Sequence, residues 1–122
     1  MKIRIKGNTL RFRLTKSEVN LLAKTGYIEE KTAFESNTLK YMVTTTDAST
    51  LSVDFINGNI TLLVPQNLLQ QWAHDNTVSL DQNMQTNNKG SLYILLEKDF
   101  KCIDASPVED QSDYFENPAK SC

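Results

Sequence analysis

The sequence predicts an α+β fold, built as duplicated ββαββ units and followed by an irregular C-terminal tail. The observations behind it are three. Apolar and polar residues alternate with a period of two over Met1–Leu14 and again over Leu51–Val64. Each stretch runs into a helix signature. Sliding the chain by fifty places brings the apolar positions into coincidence: Ile3 with Val53, Ile5 with Phe55, Leu10 with Ile60, Phe12 with Leu62 and Leu14 with Val64.

The first two strands are Ile3 and Ile5 alternating with Lys2, Arg4 and Lys6, then Leu10, Phe12 and Leu14 alternating with Arg11 and Arg13. Gly7-Asn8 between them tolerates positive φ, so a tight hairpin joins them. Thr15-Lys16-Ser17-Glu18 reads as a capping box, with the Thr15 hydroxyl and the Glu18 carboxylate satisfying free amide donors at a helix start. Val19, Leu22 and Ala23 form the buried stripe of that helix, and Gly26 ends it. Tyr27–Phe34 and Leu39–Thr45 are the next two strands, around a turn at Glu35-Ser36-Asn37. Asp47-Ala48-Ser49 precedes the second unit.

In that unit Leu51–Ile56 and Ile60–Val64 flank Asn57-Gly58, the strongest short hairpin signal. Pro65 is expected at the first helical position, where its missing N–H costs nothing. The second helix aligns with the first, Leu69 on Val19, Trp72 on Leu22, Ala73 on Ala23, which makes Trp72 a core residue. Val78–Met84, a polar loop at Gln85–Gly90 and Ser91–Glu97 complete the unit. The last strand is apolar on both faces, so it is expected to be central or covered. Connections this short suit antiparallel neighbours. The eight strands then make either one strongly curved antiparallel sheet with helices on one face or a closed barrel, and the residues leave the two open.

A chain of 122 residues is one domain by length. We place it at residues 1–99, as pseudo-repeats 1–50 and 51–99, with residues 100–122 as an acidic tail. Phe100, Ile103, Val108, Tyr114 and Phe115 are too apolar for pure disorder, so the tail is expected to dock. The net charge of −2 argues against bulk affinity for nucleic acid or anionic membrane. No apolar run follows the N-terminal cations and none approaches membrane-spanning length, so a cytoplasmic location is expected. Cys102 and Cys122 are then free thiols, and would pair only in an oxidising compartment.

The charge is unevenly spread. Alternation puts Lys2, Arg4, Lys6, Arg11 and Arg13 on one side of the first hairpin, and like charges opposite one another across a ladder are destabilising. The matching positions in the second unit, Asp54, Ile56, Thr61 and Leu63 for Arg4, Lys6, Arg11 and Arg13, show that the architecture does not require cations there. A bound anion, such as a phosphate, a nucleotide or a carboxylate, would relieve the repulsion through charge-assisted hydrogen bonds. Arg4, Lys6, Arg11 and Arg13 are therefore the candidate anion-binding residues. The competing reading is a solvated edge face, or one neutralised by Glu29, Glu30 or the acidic tail.

Other constellations point to no chemistry. Cys102 and Cys122 with Asp99, Asp104, Glu109, Asp110 and Asp113 match neither zinc nor EF-hand spacing, so no metal site is assigned and no cofactor is expected. His74, the single histidine, matches Lys24, and both fall in the last turn of a helix, where a cation complements the dipole. Asn59-Ile60-Thr61 fits a glycosylation sequon, incidental in a cytosolic hairpin.

Strand order and basic strands together resemble the triphosphate tunnel enzymes, whose barrel also comes from a duplicated unit. That family holds a metal with alternating glutamates on its first strand, where this chain has Lys2-Ile3-Arg4-Ile5-Lys6, so the activity is not carried over. Met1-Lys2-Ile3-Arg4-Ile5-Lys6-Gly7-Asn8, Leu14-Thr15-Lys16-Ser17-Glu18-Val19, and Glu97-Lys98-Asp99-Phe100 followed by Cys102 and Glu109-Asp110-Gln111-Ser112-Asp113 are similar to a family of small uncharacterised bacterial proteins, mostly from Bacteroidetes. That resemblance implies a bacterial, soluble, single-domain protein and no mechanism. The reading is thus a non-enzymatic module whose basic hairpin face takes an anionic small molecule or an acidic peptide segment. The alternative is a structural or assembly protein whose basic face is covered by its own or a neighbour's acidic tail. A phosphate-handling enzyme is the least supported, since no general base, nucleophile or metal set can be named. The oligomeric state stays open.

Overall fold

The computed structural model describes residues 1–87, 89–100 and 112–116. Cys102, Asp104, Glu109, Asp110 and Cys122 lie outside the described residues. The elements follow in the expected order: β1 (Lys2–Lys6), β2 (Thr9–Leu14), α1 (Lys16–Thr25), β3 (Tyr27–Ala33), β4 (Thr38–Thr46), β5 (Ser52–Ile56), β6 (Asn59–Pro65), α2 (Gln66–His74), β7 (Ser79–Thr86) and β8 (Gly90–Lys98).

The architecture is α+β, but neither the single curved sheet nor the closed barrel expected from the sequence. The strands form two four-stranded sheets, β1-β2-β8-β7 and β3-β4-β6-β5. The antiparallel expectation holds for the four hairpins, β1–β2, β3–β4, β5–β6 and β7–β8. It fails at the centre of each sheet, where β2 runs parallel to β8 and β4 parallel to β6. Short connections constrain only strands adjacent in the chain. β2 and β8 are separated by most of the molecule, and β4 reaches β6 through β5, so parallel joints are permitted there. β8 lies in the interior of its sheet, the central position expected, with Ile94 and Leu96 in the core and Tyr93 and Leu95 half-buried on the opposite face.

Capping fixes where each helix starts and stops. The Thr15 side chain accepts from the Glu18 amide while the Glu18 carboxylate accepts from the Thr15 amide at 2.9 Å, closing the capping box on α1. Gly26 ends α1 with φ at 76°, and a Cβ there would stand 3.2 Å from Thr45 Oγ1. Its carbonyl accepts from the Thr45 amide at 3.1 Å, tying the end of α1 to β4. Pro65 departs from expectation: it is the N-cap of α2, extended at φ −55° and ψ 130°, and not its first helical residue. It is also the last residue of β6, in register with Thr46 of the parallel strand β4.

One apolar core joins both sheets and both helices. It runs through Leu10, Phe12 and Leu14 of β2, Val19 and Leu22 of α1, Leu62 and Val64 of β6, Leu69 and Trp72 of α2, and Ile94 and Leu96 of β8. The Trp72 side chain is fully buried and donates from Nε1 to the Val78 carbonyl at 3.1 Å, which satisfies the one polar atom of the ring. At the sheet edges the Val53 amide of β5 donates to the Met84 sulfur of β7 at 3.4 Å, a side-chain link where a closed barrel would have a ladder. Among the described residues no helix is long and apolar enough to cross a membrane.

Candidate functional site

The period of β1 and β2 sends Ile3, Leu10, Phe12 and Leu14 inward, so the polar residues between them must share the outer face. The register then lays that face out in three rows across β1, β2, β8 and β7: Lys2, Arg13, Glu97, Ser79; Arg4, Arg11, Leu95, Asp81; and Lys6, Thr9, Tyr93, Asn83. All four sequence-predicted residues, Arg4, Lys6, Arg11 and Arg13, thus lie together on one sheet face.

They are not equivalent. Arg13 Nε donates to Glu97 Oε1, and Arg11 Nε stands 3.6 Å from the same oxygen. Lys2 Nζ lies 3.2 Å from Asp99 Oδ2, donates to the Tyr114 hydroxyl at 2.7 Å and sits 4.6 Å over that ring. Among the described residues no carboxylate comes within ion-pair distance of Arg4 or Lys6. These two, with Thr9 and Arg11, line a surface depression of about 200 Å³. A neighbouring depression of about 190 Å³ is lined by Thr9, Leu10, Arg11, Tyr93 and Leu95, so Arg11 faces both. The Thr9 hydroxyl already donates to the Lys6 carbonyl at 2.6 Å, leaving the cations as the donors to an incoming anion. At the far side the Tyr93 hydroxyl donates to Asp81 Oδ2 at 3.0 Å, and that hydrogen bond holds the phenol above its ordinary range.

Glu97 is the member that sequence reasoning missed. Two of the carboxylates expected to neutralise the face are engaged elsewhere: Glu29 lies 3.3 Å from Lys40 on the other sheet, an interaction that raises the lysine's pKa, and Glu30 lies 3.2 Å from the nitrogen of Met1; most of the acidic tail lies outside the described residues. Glu97 reaches the arginines only because the parallel β2–β8 joint sets it opposite Arg13. No local signal in the sequence carries that pairing.

A second polar constellation gathers at the start of α1. The Lys16 amide donates to the Asp113 carbonyl at 3.0 Å, and the Ser17 amide to Asp113 Oδ1 at 3.2 Å. Hydrogen bonding from Ser17 holds the Asp113 carboxyl below its ordinary range. Next to it Tyr114 is buried, and Phe115 meets Phe100 edge to face with ring centres 5.8 Å apart. His74 is exposed in the last turn of α2, the position that the sequence indicates. Among the described residues no three His, Cys, Asp or Glu side chains converge in a way that could hold a metal ion.

Neither the curated proteins nor the solved structures contain a match to this chain. A family model does match, over residues 1–119, with the description "family of unknown function". Since that match spans nearly the whole sequence, the chain belongs to the DUF7009 family, a family of unknown function.

Proposed function

We propose that this chain is a small binding module, not an enzyme, that holds an anionic group on the outer face of the β1-β2-β8-β7 sheet. The observation that carries the reading is the state of Arg4 and Lys6: they share a depression with Arg11, and no carboxylate among the described residues neutralises them. Arg4 is also directly opposite Arg11 in the ladder, an arrangement that costs stability until an anion lies between them. Glu97 draws Arg13 away from the depression and holds Arg11 only loosely, so the cradle is Arg4, Lys6 and Arg11, with Arg13 a neighbour that orients Glu97. The ligand class is a phosphate-type or carboxylate anion, free or on an acidic peptide segment.

A second reading, an assembly protein whose basic face is covered by an acidic segment, is favoured by one observation. Lys2, at the end of the same row system, already takes Asp99 and the Tyr114 hydroxyl. In this reading the covering segment is the acidic tail of residues 100–122, contributed to the 1–99 domain by this chain or by a neighbouring copy. A duplicated ββαββ origin is supported by the register: Leu10 opposite Ile94 and Phe12 opposite Leu96 in one sheet match Ile60 opposite Tyr41 and Leu62 opposite Val43 in the other. A bacterial cytoplasmic protein is the setting we propose for it.

Thermal unfolding in low salt tests the binding reading. Wild type and an Arg4→Gln/Lys6→Gln variant are compared with inorganic phosphate, nucleotides, dicarboxylates and a Glu-rich peptide. A ligand that binds only the native state raises the midpoint by mass action. The reading requires that at least one of these stabilises the wild type and not the variant. Equal midpoints across the whole panel contradict it and favour the covered face.

A further inference from the structure

Lys98, the last residue of β8, is one of ten lysines and is only 6% exposed. Its Nζ donates to the backbone carbonyl of Asp75, the C-cap residue of α2, at 2.9 Å. The rings of Trp72 and Phe115 stand 5.7 and 5.5 Å from it, near the outer reach of cation–π attraction. Among the described residues no carboxylate lies within ion-pair distance of this amine. Burial therefore dominates and pushes the amine below the ordinary lysine range, opposed only by the more distant charge of Asp75. A cavity of about 390 Å³ opens beside it, walled by His74, Val78, Phe100 and Phe115, with Asp75 and Glu116 also on its lining.

The lining chooses between two kinds of occupant. A carboxylate or phosphate would pair with an ammonium, but it would also meet the charge of Asp75. An uncharged carbonyl compound with an aromatic body meets no such repulsion, and lies against Val78, Phe100 and Phe115. A desolvated lysine amine is the group that attacks such carbonyls.

We propose that the ε-amine of Lys98 is a nucleophile that captures small aromatic aldehydes in this cavity as a Schiff base. The nitrogen lone pair attacks the carbonyl carbon, forming the C–N bond, and the carbonyl oxygen takes up a proton to give a carbinolamine. The nitrogen sheds one proton to neutralise the carbinolamine, the hydroxyl takes a second proton and departs as water, and the nitrogen sheds its last N–H proton to leave C=N. Amine and aldehyde give imine and water, with no change in oxidation state. His74, on the cavity wall, is placed to hand over the proton that departs with oxygen. This site is separate from the basic face, so either can fail without the other.

The test treats the full chain with benzaldehyde and cyanoborohydride near neutral pH and maps benzylated lysines by peptide mass spectrometry. In the native chain Lys98 is modified first, before the exposed Lys6, Lys24 or Lys31 reach half-modification, and that order disappears in urea. Val78→Trp, which fills the cavity from an exposed position and leaves the backbone acceptor intact, slows modification of Lys98 and not of Lys24. The proposal is overturned if native Lys98 reacts no faster than the exposed lysines, or if Val78→Trp leaves its rate unchanged. Both readouts rank lysines within one folded chain, so neither depends on a Lys98 variant folding.

Discussion

Arg4 of β1 and Arg11 of β2 face each other across the ladder, yet among the described residues only Arg11 has a carboxylate near it, Glu97 at 3.6 Å. Like charges directly opposite cost about 0.2–1 kcal/mol. Replacing Arg4 with Thr, a good strand former, should therefore raise stability in low salt by about 0.5 kcal/mol. The same substitution should abolish stabilisation by anions. Urea unfolding at two salt concentrations measures both, and the gain should shrink as salt rises.

Glu97→Gln leaves Arg11 and Arg13 facing Arg4 and Lys2 with no compensating charge on β8. The pairs are only partly buried, so the expected loss is about 1 kcal/mol. Anion binding should tighten, because the arginines are released toward the ligand. Titration calorimetry with inorganic phosphate on the variant and the wild type checks the direction.

Asp113 ties its segment to the start of α1, and its folded-state pKa is depressed, chiefly by hydrogen bonding from Ser17. A depressed carboxylate contributes stability that is fully present above its unfolded value of about 3.9 and is lost as pH falls through the folded value. Wild type should thus exceed Asp113→Asn in stability at neutral pH, and the gap should close in acid below that range. A pH series of unfolding midpoints for both chains reads it directly; a gap that persists in acid contradicts the assignment.

Asn57 and Gly58 both adopt positive φ, 54° and 78°, in the two-residue turn between β5 and β6. That is the requirement of a type I′ hairpin. A Cβ at Gly58 would have no neighbour nearer than 3.8 Å, so the cost of Gly58→Ala is backbone strain without a clash. About 1 kcal/mol of destabilisation is expected. Asn57→Gly should be close to neutral.

Local structure was legible in the sequence because its causes are local. The capping box at Thr15–Glu18, the Asn57-Gly58 turn and the alternation of β1, β2, β5 and β6 each depend on residues a few places apart. The burial of Trp72 followed from helical periodicity. What escaped was which hairpins share a sheet. The parallel joint of β2 with β8 is a packing outcome between segments some eighty residues apart, and alternation is satisfied equally by a single sheet, a barrel or two sheets. The candidate site divided the same way. That Arg4, Lys6, Arg11 and Arg13 share a face was visible in the period of two, whereas the capture of Arg13 by Glu97 and the shielding of Lys2 by Asp99 and Tyr114 required the tertiary pairing.

If Arg4, Lys6 and Arg11 together hold an anion, backbone amide chemical shifts will report it residue by residue. Titrating the isotopically labelled chain with pyrophosphate in low salt should move the amides of residues 4–11 and their β8 neighbours along saturable curves, and the Arg4→Gln/Lys6→Gln variant should show no such movement. Shifts that never saturate, or that centre on α2 or on the β3-β4-β6-β5 sheet, would contradict the claim.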